Sequence, residues 1–155
     1  MVVTSTAITE GALGLAYGAK GRQKQGGMPS RSFPLEIIGP PQGTLSFALL
    51  FDDPDSTPLC GFAWVHWLAA NIHSTTLAED ASCVAGTSFL QGKTSWGRAC
   101  YGGPAPPDKP HRYVLTVWAL DGDLPLKQGF TKEQLLKAIE GHVLASAVLK
   151  ATYPS

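Results

Sequence analysis

The sequence predicts a mainly β fold: an antiparallel β-sandwich of Greek-key type with one or two helices at its C-terminal end. Three features point there. Apolar runs at Thr44–Phe51, Trp64–Asn71 and Arg112–Leu120 have the length and the aromatic or β-branched content of strands. Turn-forming clusters separate them, and a helical period begins only after Asp121-Gly122-Asp123. The 155 residues fit one domain spanning the chain, and a domain of that size buries roughly 70% of the surface its unfolded chain exposes.

Residues 1–17 open apolar and β-prone, with a turn at Glu10-Gly11. Gly18–Met28 carries Lys20, Arg22 and Lys24 among glycines and no acid, the composition of a mobile, solvated loop. Ser30–Ile38 leads into a strand, Gly39–Gly43 turns, and Thr44–Phe51 is apolar on both faces, as a buried strand requires. An acidic turn with Asp53 and Asp55 follows. Strict alternation then places Trp64, His66, Leu68 and Ala70 on one face of a central strand and Val65, Trp67 and Ala69 on the other. Residues 73–100 lack periodicity and read as a long surface loop that Trp96-Gly97-Arg98 packs back on the sheet. Arg112–Leu120 alternates Tyr113, Leu115, Val117 and Ala119 against Val114, Thr116 and Trp118. Thr131-x-x-Gln134 is a capping-box signature for a helix whose apolar face is Leu135, Leu136 and Ile139. A second helical stretch is expected over Val143–Ala151.

Lys and Arg total 12 and Asp and Glu total 12, so no net field draws the chain to nucleic acid or another polyanion. No run approaches the ~20 apolar residues of a transmembrane segment, and no leader pattern opens the chain. These features suggest a soluble, cytoplasmic protein. Cys60, Cys83 and Cys100 are odd in number and irregularly spaced, which predicts reduced thiols.

Chemistry concentrates in Tyr101–Leu120. Gly102 and Gly103 beside Pro104, Pro106 and Pro107 make a rigid loop whose backbone can approach a ligand closely. That loop leads to His111 and Tyr113, two residues apart and therefore on one face of a strand. Trp64 and His66 repeat the spacing upstream, just after Asp53 and Asp55. Singly, each residue is ordinary: a buried histidine is most often a satisfied core residue, and Asp53 alone is a turn residue.

Together, Asp53-Pro54-Asp55, Trp64-x-His66-Trp67, Gly102-Gly103-Pro104-x-Pro106-Pro107 and His111-Arg112-Tyr113 resemble the phosphatidylethanolamine-binding protein (Raf kinase inhibitor protein) family. Gly141-His142-Val143-Leu144-Ala145 is similar to its small bacterial and archaeal branch. Three departures stand out: Phe33 separates Ser32 from Pro34, Ile37 stands where the family usually has an aromatic, and Ser56 and Thr57 precede Pro58. The resemblance implies a pocket for a phosphate-like anion or phosphoethanolamine-type head group, formed by Asp53, Asp55, Trp64, His66, Gly103, Pro106, Pro107, His111 and Tyr113. It also implies a regulatory role of the kinase- or peptidase-inhibitor kind and a homodimer, with no cofactor, resident metal or catalytic residue. The expected chemistry is donation to the anion by both imidazoles, by the Tyr113 phenol and by amides around Gly102 and Gly103. Asp53 should hold the histidines protonated above their free pKa of ~6.5, with burial opposing it. The alternatives are a metal-assisted hydrolase using two histidines and Asp53, or a structural role.

Overall fold

The computed structural model describes residues 1–155. Its strands are β1 (Val2–Thr4), β2 (Ile8–Thr9), β3 (Ala12–Leu13), β4 (Lys24–Gln25), β5 (Met28–Pro29), β6 (Leu35–Ile38), β7 (Ser46–Asp53), β8 (Trp64–Ile72), β9 (Thr76–Leu77), β10 (Leu90–Gln91), β11 (His111–Leu120) and β12 (Val143–Tyr153). Two short helices accompany them, α1 (Thr57–Cys60) and α2 (Lys132–Ala138). The large sheet has the order β10-β8-β7-β11-β12-β3-β2, and a second sheet has the order β1-β6-β9. All pairings are antiparallel except β12 with β3, which meet only at Thr152 and Ala12.

The architecture is the mainly β one expected. Its main core lies between the sheets, where Val3, Leu35 and Ile37 of the small sheet face Leu49, Phe51, Trp67, Leu115 and Val117 of the large one. A second apolar cluster lies on the outer face, where Leu135 and Ile139 of the α2 segment cover Ala48, Leu50 and Leu68. The capping box forms as predicted: Thr131 accepts from the Gln134 amide, and the Gln134 side chain accepts from the Thr131 amide. Leu136, assigned to the buried face, is instead partly exposed, because the seven-residue helix touches the sheet along a narrower stripe.

Four expectations need correction. Val143–Ala151 is not helical: it lies in β12, paired with β11 from His111–Tyr153 through Leu120–Val143. The Ala145, Ala147 and Leu149 side chains pack on the core, so tertiary pairing overrides the helical propensity of an Ala- and Leu-rich run. Cys83 and Cys100 are not both reduced: they form a disulfide, leaving Cys60 free and exposed. Gly18–Met28 is not a featureless loop, since its end folds as the β4–β5 hairpin. The acidic turn after β7 winds into a 3₁₀ turn, Pro54–Ser56, and then α1.

One irregularity bears directly on the site. Phe51 pairs with Trp67 and Asp52 with Val65, so His66 is the extra, unpaired residue of a β-bulge. The bulge breaks the expected alternation: Trp67 and Ala69 face the main core, while Val65 and Leu68 face the outer cluster. His66 is thereby turned toward Tyr113, its ring centroid 5.3 Å away.

Candidate functional site

The end of β7, the bulge of β8 and the start of β11 converge because β7 and β11 pair through Asp52 and Val114, which brings Asp53 opposite Tyr113. They form the floor of a cavity of about 260 Å³. Trp64, Trp96 and Pro106-Pro107 wall it, with Leu59 and Cys60 at the α1 side. Ser56 shapes that side: its hydroxyl accepts from the Trp64 amide and directs its one proton to the Asp53 or the Phe62 carbonyl, both within reach.

Seven of the nine predicted site residues line this cavity: Asp53, Trp64, His66, Pro106, Pro107, His111 and Tyr113. Asp55 and Gly103 do not. The Asp55 carboxylate instead accepts from the Arg112 amide at 2.8 Å and clips the acidic turn to β11. The amides expected to greet an anion are already committed, Gly102 N–H to the His66 carbonyl and Gly103 N–H to the Pro29 carbonyl, both at 2.8 Å. Glycine is needed at both positions for chain packing: a Cβ on Gly102 would strike the Trp96 indole, and one on Gly103 the Tyr17 carbonyl. The sequence reading missed Trp96, Ser56, Leu59, Cys60 and Ala105 as lining residues, since none carries a motif. It also missed Asp108, whose only signal is an acid three residues ahead of a histidine at a strand entrance.

The two histidines differ in character. His66 is 3% exposed, and its Nδ1 donates to the Gly102 carbonyl. Burial drives its pKa down to about 4 against the raising pull of the backbone hydrogen bonds. It is therefore neutral near pH 7, with the proton on Nδ1 and an acceptor lone pair on Nε2. This corrects the expectation of two protonated imidazoles. His111 donates through Nδ1 to Asp53 at 2.6 Å and through Nε2 to Asp108 at 2.7 Å. Burial alone would lower its pKa, but the two carboxylates outweigh burial and raise it, making His111 the cation of the site.

Burial raises the pKa of Asp53, and its bond to His111 only partly offsets this. Burial, followed by the nearby Asp53 carboxylate, also lifts the Tyr113 phenol far above its ordinary value, so the phenol keeps its proton. Most informative are the polar atoms without partners. Five buried side-chain polar atoms lack a hydrogen bond, and four belong to residues that line this cavity: Asp53 Oδ1, Tyr113 OH, Trp64 Nε1 and Trp96 Nε1. No group of three His, Cys, Asp or Glu side chains is arranged to hold a metal ion.

The sequence profile of the phosphatidylethanolamine-binding protein family matches residues 4–154. The uncharacterised protein YxkA of Bacillus subtilis is 38% identical over 83% of this chain and 84% of its own. A UPF0098 protein of Methanothermobacter thermautotrophicus is 40% identical over 83% of this chain and 91% of its own. Among solved structures, the phosphatidylethanolamine-binding protein homologue CT736 from Chlamydia trachomatis superposes with a TM-score of 0.85 at 34% identity, covering 99% of this chain and 97% of that one. YbcL of E. coli, described as a new member of the mammalian family, gives 0.81 at 33% identity over 97% and 96% of the two chains.

Proposed function

The chain belongs to the phosphatidylethanolamine-binding protein family, and on that premise we propose that its cavity binds a small phosphorylated head group in a regulatory, non-catalytic role. The carrying observation is a set of partnerless polar atoms: leaving such an atom buried and unpaired costs about 1–3 kcal/mol, and four of them belong to residues that line one cavity. The set has both polarities. The Tyr113 hydroxyl and the two indole N–H groups can donate to phosphoryl oxygens. Asp53 Oδ1 and His66 Nε2 can accept from a ligand donor, either a P–OH or an ammonium such as that of ethanolamine. A phosphoethanolamine-type head group offers both.

Calorimetry with inorganic phosphate and phosphoethanolamine tests this. Both should bind, and Tyr113→Phe, which deletes one hydroxyl without changing shape, should weaken binding roughly tenfold, the worth of one hydrogen bond. Absence of binding by either compound, or binding indifferent to both Tyr113→Phe and Asp53→Asn, would remove the proposal.

The regulatory reading extends to a phosphorylated residue on a protein partner such as a kinase or peptidase, which carries the same oxyanion. The homodimer also belongs to this proposal. It is supported by the exposed Val143, Leu144 and Val148 on β12, a strand that meets β3 at a single residue pair. Light scattering that returns a monomer mass at high concentration would exclude it. No helix is long and apolar enough to cross a membrane. The disulfide supports an oxidising compartment in place of the cytoplasmic location suggested by the sequence, since cytosolic thiols are kept reduced.

A further inference from the structure

His111 is the only cationic group lining the cavity, since no Lys or Arg lines it and His66 is neutral near pH 7. Its Nδ1 is taken by the buried Asp53, so its Nε2–H is the one charge-assisted donor left for an anion. That donor is already occupied. Asp108, on the loop between Pro107 and Pro110, places its carboxylate Oδ1 at 2.7 Å from Nε2, with its side chain 40% exposed. The two ring nitrogens thus meet one carboxylate in the core and one at the rim.

We propose that Asp108 is an intramolecular competitor at the head-group site, setting how tightly any anion can bind there: its carboxylate is a tethered anion on His111 Nε2, and an incoming oxyanion binds by exchanging with it. This rests on the head-group reading above. Three consequences follow from the geometry. With Asp108 docked, Asp53, His111 and Asp108 sum to one negative charge, which repels an anion; with Asp108 released to water, Asp53 and His111 sum to zero. Because Asp108 stabilises the imidazolium while the cavity is empty, the cation is already formed when the ligand arrives.

The third consequence is a threshold that every incoming anion must exceed. A group on a short tether competes at an effective concentration on the order of millimolar, and prolines at positions 106, 107 and 110 restrict the loop that carries it. A simple carboxylate offers His111 the same oxygens as Asp108 and gains nothing by the exchange. A phosphoryl group brings further oxygens that can reach the Tyr113 hydroxyl and the indoles, so it gains where a carboxylate does not.

The test compares acetate with inorganic phosphate on wild type, Asp108→Asn and Asp108→Ala, all at pH 6, by calorimetry, with the His111 imidazole followed by NMR. Asp108 is exposed and His111 is its one side-chain partner, so the variants keep the fold. Asp108→Ala should raise acetate affinity at least roughly tenfold by removing the tethered competitor. Phosphate affinity should rise by the same factor, since the undocked fraction is common to both anions, so that the phosphate-to-acetate ratio stays as it is. Asp108→Asn, which keeps an uncharged acceptor, should fall between. The His111 titration should move down in both variants. Unchanged affinities, weaker binding of both anions, or an unmoved His111 titration would each overturn the role of Asp108. If wild type and variants alike fail to bind phosphate, the head-group reading itself falls; if all bind with one affinity, only Asp108 is excluded.

Discussion

Acid should destabilise this protein through a single buried imidazole. The ordinary histidine value is 6.5, and burial lowers that of His66 to about 4 in the folded chain. The unfolded chain therefore binds the proton first, so the contribution of His66 is complete above about 6.5 and is lost as pH falls toward 4. Integrating between those values gives a loss of about 1 kcal/mol at pH 6, about 2 at pH 5 and about 3 at pH 4, relative to a residue that does not titrate. The reference is His66→Asn, whose amide N–H can take the place of Nδ1–H on the Gly102 carbonyl. Urea unfolding, followed by fluorescence of the fully buried Trp67, gives the stability of each protein at each pH. The difference between them should be flat above pH 7 and shrink by about 3 kcal/mol by pH 4, a large share of a typical domain stability of about 5–15 kcal/mol. Parallel profiles would show that His66 is not held neutral and would refute the reasoning.

Other perturbations test neighbouring parts. Gly102→Ala, whose Cβ would press on the Trp96 indole, should cost about 1–3 kcal/mol as overpacking, visible as a lower thermal midpoint. Cys83→Ser opens a link across a sequence separation of 17 and should cost about 3 kcal/mol, and mass measurement before and after alkylation of the unreduced protein should find one free thiol, Cys60. Asp53→Asn removes the inner carboxylate from His111, so the His111 titration followed by NMR should fall from its raised position; a stationary value would place its cause elsewhere. Thr131→Ala deletes the capping-box acceptor of α2 and should cost about 1 kcal/mol, measured by the same urea titration.

What could be read in advance depended on whether a residue's role was written in local pattern. The alternation of Tyr113, Leu115, Val117 and Ala119 survives folding because β11 is paired on both sides and cannot slip without exposing its core face. The Thr131–Gln134 box is wholly local and forms as written. β12 deceived because its inward residues, Ala145, Ala147 and Leu149, are good helix formers; only ten register pairs with β11 make the run a strand. The resemblance grouped His66 with Tyr113, and the two rings meet, but the alternation that put His66 on one face with Leu68 and Ala70 does not hold, since a bulge, not period two, turns it inward. The disulfide joins two loops whose proximity no spacing reveals. Gly102 and Gly103 were read as opening the backbone to a ligand; their amides close it to other segments of the chain instead.

The bonds between His66 and Gly102 run both ways: the glycine amide donates to the histidine carbonyl, and the imidazole donates to the glycine carbonyl. Tyr101 and Gly103 add amide bonds of their own, and residues 101–104 are all buried. In terms of amide exchange, this stretch without regular secondary structure belongs to the same cooperative unit as β8, so its protons should leave only when that strand opens. A bound ligand can add little protection to amides already closed at that limit. The exchange footprint of binding should therefore miss residues 101–104 and fall on exposed residues on either side of the site, at Asp108-Lys109 and along α1.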